Sequence, residues 1–274
     1  MKKFVALSFV LVMVLTMHIS STQATDSVPD KVMQAKDSVV RIMTEYTSTI
    51  SSGSGFVIQS DNKTTLIATN YHVVEGNPLN ISVLLDEDET ITAHIIAYSD
   101  QKDLCVLELA YPRQLKSLVL NENEVSQGDP VYAIGFPSAA DNFSETIAKS
   151  SDEATITDGI VSATRKVTTT IYGSPVNILQ INADINPGNS GGPLFNKAGE
   201  VVGINTYGIL DSQGINGAIE IGELITLLSD NNISFKTTAE WTPVPIIIST
   251  AVLLVVVTIV ILTVRKKKSL TEII

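Results

Sequence analysis

Asn186-Pro187-Gly188-Asn189-Ser190-Gly191-Gly192-Pro193-Leu194 sets one serine among glycines and runs through an apolar turn toward a strand. A hydroxyl that attacks a planar amide must be reachable, and the oxyanion formed must meet two backbone N–H donors. Both conditions require main chain that no side chain shields. Gly188 and Ser190 are placed to supply those donors. The same string also reads as an ordinary turn between strands. A serine hydroxyl is inert without a base and an orienting acid, so the rest of the chain must decide.

Around this stretch the apolar pattern has a period of two. Residues 38–46, 54–59, 64–69, 80–85, 91–98 and 104–109 are short runs rich in Val, Ile and Thr, separated by Gly, Asn, Asp or Pro. The rhythm resumes over 130–135, 154–162, 167–171, 177–182, 200–205 and 217–221. Many short strands at near-regular spacing indicate an all-β barrel or sandwich. Two stretches break the pattern. Ser138 to Asp152 is polar and charged and predicts an exposed, mobile loop. Gly222 to Asn232, with Leu224, Ile225, Leu227 and Leu228 on one side, predicts a closing helix. Asp26 to Lys36 is a polar lead-in, a turn or short helix.

Both ends of the 274-residue chain are apolar in a different way. Met1-Lys2-Lys3, the run Phe4 to Met17 and the small-residue site Thr22-Gln23-Ala24 read as a secretory signal peptide over 1–24, with an uncleaved anchor as the alternative. Val244 to Val264 carries no charge and is long enough to cross a bilayer at about 1.5 Å per residue. Arg265-Lys266-Lys267-Lys268 follows it, which predicts a cytoplasmic tail over 265–274 and places 28–236 outside the cytoplasm, joined to the membrane helix by a linker over 237–243.

Removing Lys2, Lys3, Arg265, Lys266, Lys267, Lys268 and Glu272 from the 18 basic and 29 acidic residues leaves 12 and 28, a net charge of −16 for the exported part. That charge argues against nucleic acid as a partner. Cys105 is the only cysteine, so no disulfide can form within the chain, and its apolar neighbours suggest a buried hydrophobe. Sequons stand at Asn62, Asn80, Asn142 and Asn232, relevant only in a host that glycosylates them.

Three histidines make elimination possible. His18 falls in the signal segment, and His94 alternates onto the face opposite Ile95, where a solvated histidine is expected. His72 stands where a strand ends and a short turn begins, a rigid place for a group that shuttles a proton, although a capping or core histidine also fits there. The orienting carboxylate must pack against the imidazole. Asp103 precedes the apolar strand Leu104-Cys105-Val106-Leu107 and can be partly buried at its mouth, while Asp100 reads as a turn former.

Thr69-Asn70-Tyr71-His72-Val73-Val74, Asp103-Leu104-Cys105-Val106-Leu107-Glu108-Leu109 and the serine stretch resemble, in this order, the His, Asp and Ser blocks of the high-temperature-requirement (HtrA, or Deg) serine proteases. Gly53-Ser54-Gly55-Phe56-Val57-Ile58, Ala133-Ile134-Gly135-Phe136-Pro137, Gly159-Ile160-Val161-Ser162-Ala163 and Val201-Val202-Gly203-Ile204-Asn205-Thr206 add to the resemblance, which runs from about Val39 to about Leu228. It implies a trypsin-like (chymotrypsin) fold of two six-stranded antiparallel β-barrels, about 38–120 and 128–222, with a C-terminal helix. It also implies a catalytic triad of His72, Asp103 and Ser190 in the cleft between them, and an oxyanion hole formed by Gly188 and Ser190. Such a site acts on polypeptide substrates and calls for no metal and no cofactor.

The chain also departs from the family. About a dozen residues separate the closing helix from the membrane run, too few for the PDZ domain that family members commonly carry. The short lead-in counts against the trimer that family members often build through N-terminal segments, and a homo-oligomer of another kind stays open. Asp184 stands six residues before Ser190, where trypsin-like enzymes place the floor of the specificity pocket, so it either favours Lys or Arg before the scissile bond or decorates a surface loop. A catalytically silent ectodomain in adhesion or signalling, and an esterase, are the competing functions.

Overall fold

The computed structural model describes residues 28–86, 88–143, 146–168, 173–206 and 215–238. The chain divides into two units, Met1–Lys236 and Thr237–Ile274; the elements and the site described here lie in the first. The predicted signal segment 1–24, the membrane run 244–264 and the tail 265–274 fall outside the described residues, as does nearly all of the linker. No helix among the described residues is long and apolar enough to cross a membrane.

A short helix α1 (Asp30–Lys36) leads into seven strands, β1 (Val39–Glu45), β2 (Ile50–Ser60), β3 (Thr64–Thr69), β4 (Asn80–Asp86), β5 (Glu89–Thr92), β6 (His94–Ser99) and β7 (Leu104–Ala110). They form one antiparallel sheet in the order β5-β4-β1-β2-β3-β7-β6. The second layer contains β8 (Val119–Leu120), β9 (Pro130–Gly135), β10 (Thr155–Val167), β11 (Val176–Ile181), β12 (Pro193–Phe195), β13 (Val201–Thr206) and β14 (Asn216–Glu220), followed by helix α2 (Ile221–Asp230). Here β12-β9-β10-β11-β14-β13 run side by side, and a β12–β13 ladder closes the ring at six strands.

The expectation of two six-stranded barrels therefore holds for the second layer and needs correcting for the first, which is a half-barrel. Its predicted strand 91–98 breaks at Ala93, whose N–H is taken by the Ile81 carbonyl at 2.8 Å. Residues before the break pair with β4 and residues after it with β7. The chain thus passes from one margin of the sheet to the other at Ala93, with no ladder between β5 and β6 among the described residues.

Alternation along the strands divides the core into compartments. On β2, β3 and β7, Val57, Ile67, Cys105 and Leu107 fill the inside of the first sheet, while Phe56, Leu66, Leu104 and Val106 face the other way. That second set meets Ile134, Phe136 and Phe195 from the other layer, together with Leu224 and Leu228 of α2. Val131, Leu179, Ile181 and Leu194 fill the closed barrel. A period of two on strands buried on both faces thus builds a seam as well as two interiors. Cys105 is fully buried, and its thiol is pushed up to about 12 by burial first and by the nearby Asp103 second.

The loop predicted to be exposed is exposed over much of its described length and is tied to the first sheet at Asp141 and Ala148. Arg41, on the strand Val39-Val40-Arg41-Ile42, is almost wholly buried. It donates from Nη1 to Asp141 Oδ1 at 2.9 Å, from Nη2 to Asp141 Oδ2 at 2.7 Å, from Nη1 to the Ala148 carbonyl at 3.0 Å and from Nε to Ser52 Oγ at 3.0 Å. A buried guanidinium left unpaired costs several kcal/mol, so the sheet position of Arg41 demands a carboxylate. Asp141 supplies it, and the loop is drawn onto the first sheet although parts of its surface remain exposed.

Candidate active site

Strand β3 ends at Thr69, and the chain turns through a single 3-10 turn, Tyr71–Val73. The Tyr71 ring stacks on Tyr98 of β6 at a centroid distance of 4.8 Å and an interplanar angle of 12°, and Thr44 Oγ1 donates to the Val73 carbonyl at 2.8 Å. These contacts fix the turn that carries His72. Asp103 enters β7 in the left-handed region at φ 55, a conformation that aspartate tolerates better than most residues. Its carbonyl is held by Asn70 Nδ2 at 2.9 Å.

Asp103 is buried to 4% exposure, and both of its carboxylate oxygens meet His72. Oδ1 accepts the His72 backbone N–H at 2.8 Å, and Oδ2 lies 2.8 Å from ring Nδ1. One contact sets the backbone and the other the ring. In the tautomer that donates Nδ1–H to this carboxylate, Nε2 carries the lone pair that a general base needs. His94 is exposed on β6, as expected of a surface histidine.

Ser190 approaches from the second layer. Its carbonyl accepts the Ser54 N–H at 2.8 Å. The next residue, Gly191, has φ 85, and a Cβ there would lie 2.2 Å from both the Ser54 carbonyl oxygen and Thr69 Oγ1, and 3.0 Å from the Asn70 nitrogen. Only a glycine lets the serine loop lie this close to the strand that leads to His72. The structure thus brings the Ser190 loop onto the corner built by His72 and Asp103.

Backbone donors alternate along the same loop. Asn189 N–H goes to the Asn186 carbonyl at 2.9 Å, Gly191 N–H to Asn205 at 2.8 Å and Gly192 N–H to Asn189 at 3.0 Å. The N–H groups of Gly188 and Ser190 have no acceptor among the described residues. Gly188 has φ 102, and a Cβ there would sit 2.3 Å from the Phe136 carbonyl oxygen. Asp184 is exposed, and its carbonyl accepts Thr157 Oγ1 at 2.8 Å.

Three supporting residues escape the sequence reading. Ser54 lies in the Gly53-Ser54-Gly55 match but bonds to the serine loop through its side chain as well as its backbone. Arg41 is a lone cation in an apolar strand, a signal that a buried partner exists without saying which. Lys102, next to Asp103, donates from Nζ to Glu223 Oε2 of α2 at 2.6 Å, and the other Glu223 oxygen accepts Asn177 N–H at 3.0 Å. This contact anchors the Asp103 turn to the closing helix.

The scaffold is chymotrypsin-like: the fold overlays a protease from Mycobacterium tuberculosis in its active form with a TM-score of 0.62 at 24% identity, covering 77% of this chain and 90% of that one. A serine endoprotease from Yersinia pestis overlays with a TM-score of 0.60 at 29% identity, covering 76% and 68%. In sequence, the model of the trypsin-like peptidase domain matches residues 53–204, more than half of the chain. The chain belongs to that family. It is 32% identical over 189 residues to the serine protease Do-like HtrA of Lactobacillus helveticus, covering 66% of this chain and 43% of the relative. It is 36% identical over 202 residues to a probable periplasmic DegP-like serine endoprotease of Pseudomonas savastanoi pv. phaseolicola, covering 72% and 38%. The match spans less than half the length of either relative.

Proposed function

We propose that the chain is a serine endopeptidase in which Ser190 attacks the peptide carbonyl, His72 takes the hydroxyl proton and returns it to the leaving amine, and Asp103 holds the imidazole and stabilises its cation. The Gly188 and Ser190 N–H groups receive the oxyanion. The observation that carries this reading is the double contact of the buried Asp103 with His72, with the serine loop packed beside it. Hydrogen bonds at both ring-side and backbone positions are what a proton shuttle needs and what a surface histidine lacks.

A fluorophosphonate that labels the wild-type chain and spares Ser190→Ala supports the reading; no labelling of the wild type defeats it in favour of a silent ectodomain. Cleavage of an unfolded protein separates a peptidase from an esterase. We further propose that the domain faces away from the cytoplasm beneath a signal segment and beside a C-terminal membrane helix. The apolar runs at both ends and the basic stretch 265–268 support this. Release of the domain from membranes by salt or carbonate alone counts against it. Exposed Asp184 is proposed to favour Lys or Arg before the scissile bond, and a peptide library that prefers small aliphatic residues there removes that assignment.

A further inference from the structure

We propose that Ser54 is a positioning residue for the oxyanion donors, a role that rests on the peptidase reading above. Ser54 is completely buried on β2, and each of its polar atoms is engaged. Its N–H donates to the Ser190 carbonyl at 2.8 Å, and its own carbonyl accepts Thr69 Oγ1 at 2.7 Å. Its hydroxyl donates to the Gly188 carbonyl at 2.7 Å and accepts the Phe136 N–H at 2.9 Å. One residue of the first sheet thus holds two carbonyls of the serine loop, 134 residues away in sequence for Gly188.

Peptide planarity converts these bonds into control of direction. A carbonyl that is held fixes the plane of its peptide and so the aim of the N–H on the other side. Ser54 holds the plane between Gly188 and Asn189 and the plane between Ser190 and Gly191. Between them lies the plane that carries Ser190 N–H. The preceding plane, which carries Gly188 N–H, has its Pro187 carbonyl held by Ser138 N–H at 2.9 Å. With the flanking planes gripped, the two donor N–H groups keep their aim before any substrate arrives.

The pocket around the hydroxyl is closed. A Cβ on Gly135 would lie 2.8 Å from Ser54 Oγ, and one on Gly192 would lie 3.2 Å from Ser54 Cβ. Removing the hydroxyl therefore leaves the Gly188 carbonyl and the Phe136 N–H without partners in a space too tight for water to restore both.

Ser60 provides a matched control on the same strand. It is also buried, its Oγ lies 2.7 Å from Thr65 Oγ1, and it accepts Leu115 N–H at 2.9 Å, at the far end of β2 from the serine loop. Ser54→Ala is expected to lower kcat on a peptide substrate by about tenfold to a hundredfold with KM within about twofold, and to slow fluorophosphonate labelling in step. Ser60→Ala, with a comparable loss of thermal stability, is expected to keep kcat within about twofold. Equal losses in the two variants, or a change in KM alone for Ser54→Ala, overturn the assignment. Ser54→Cys, which keeps a weak donor, replaces Ser54→Ala in the comparison if the alanine chain does not fold.

An unreactive wild type would defeat the peptidase reading, and hydrogen exchange then tests the role of Ser54 without catalysis. Amide exchange at Asn189, Gly191 and Gly192, whose N–H groups are hydrogen-bonded, at least about tenfold faster in Ser54→Ala and unchanged in Ser60→Ala supports it. Unchanged exchange in Ser54→Ala overturns it.

Discussion

The two halves of the site are held by different means. At the His72–Asp103 corner, side chains of one sheet fix each other: the carboxylate grips the ring and the backbone of the same residue. At the Asn186 to Gly192 loop the proposed oxyanion donors are backbone N–H groups, and the carbonyls beside them are held by Ser54 of the other layer and Ser138 of their own. The ring–carboxylate contact of the corner lies within one sheet, with Lys102 tying its turn to α2 from outside, whereas the carbonyls of the loop are held by a residue of the other layer. Replacing a side chain should therefore disable the first directly, and altering the packing between layers should disable the second.

The largest effect is expected from Asp103→Asn. An asparagine keeps the shape but offers the ring the wrong hydrogen-bond partner, and kcat should fall by about ten-thousandfold with the fold intact. Steady-state kinetics beside a far-ultraviolet dichroism spectrum check this, and a fall of only a few fold would mean that the corner does not orient the base.

Gly188→Ala comes next. Its Cβ would meet the Phe136 carbonyl oxygen, a backbone atom that cannot swing away, at a φ that side chains rarely adopt. A loss of about a hundredfold to a thousandfold in kcat is expected, as for removal of one oxyanion donor, with Asp103 and His72 undisturbed. The proton resonance of the His72 Nδ1–H held by Asp103, expected to persist in Gly188→Ala and to shift in Asp103→Asn, separates damage to the loop from damage to the corner.

A smaller effect, read in stability, is expected at the clasp between the layers. Asp141 is held below the usual carboxylate range, first by the Arg41 hydrogen bonds, with burial opposing and the Ala148 N–H assisting. A carboxyl with a lowered folded pKa stabilises the fold above its unfolded pKa, and that contribution is lost as pH falls through the folded value. Denaturant midpoints should therefore decline as the medium is acidified below the ordinary aspartate range, and Asp141→Asn should flatten that part of the decline. At neutral pH the same substitution should cost about 2–3 kcal/mol, less than a fully buried pair because Asp141 keeps some contact with water.

The mildest expectation concerns Cys105. With its thiol buried and pushed up to about 12, it should resist a disulfide reagent at neutral pH in the folded chain and react once denaturant is added. Reaction at the same rate in both states would place it outside the core.

Much of this was legible in the sequence for local reasons. Alternating Val, Ile and Thr marks strands because a pleat exposes every second residue to each face, and the His, Asp and Ser blocks carry their own turns with them. Apolar residues around Cys105 predict its burial, and the Leu224 to Leu228 spacing predicts the closing helix. What escaped was set by distant partners. The Ala93 break depends on the Ile81 carbonyl, and the strand 155–167 is longer than the predicted 154–162 because β9 and β11 both pair with it. The loop 138–152 is polar and largely exposed, as its composition predicts, but its tie at Asp141 and Ala148 depends on one buried guanidinium a hundred residues earlier. Ser54 was visible only as part of a glycine-flanked match, since nothing local to it reveals what its hydroxyl touches.

The Arg41–Asp141 contact spans the two layers in a chain whose single cysteine rules out any internal sulfur bridge. A cross-brace of this kind forms without an oxidant and survives reductants, but it dissolves when its carboxyl takes up a proton. The domain has in effect exchanged dependence on redox surroundings for dependence on acidity.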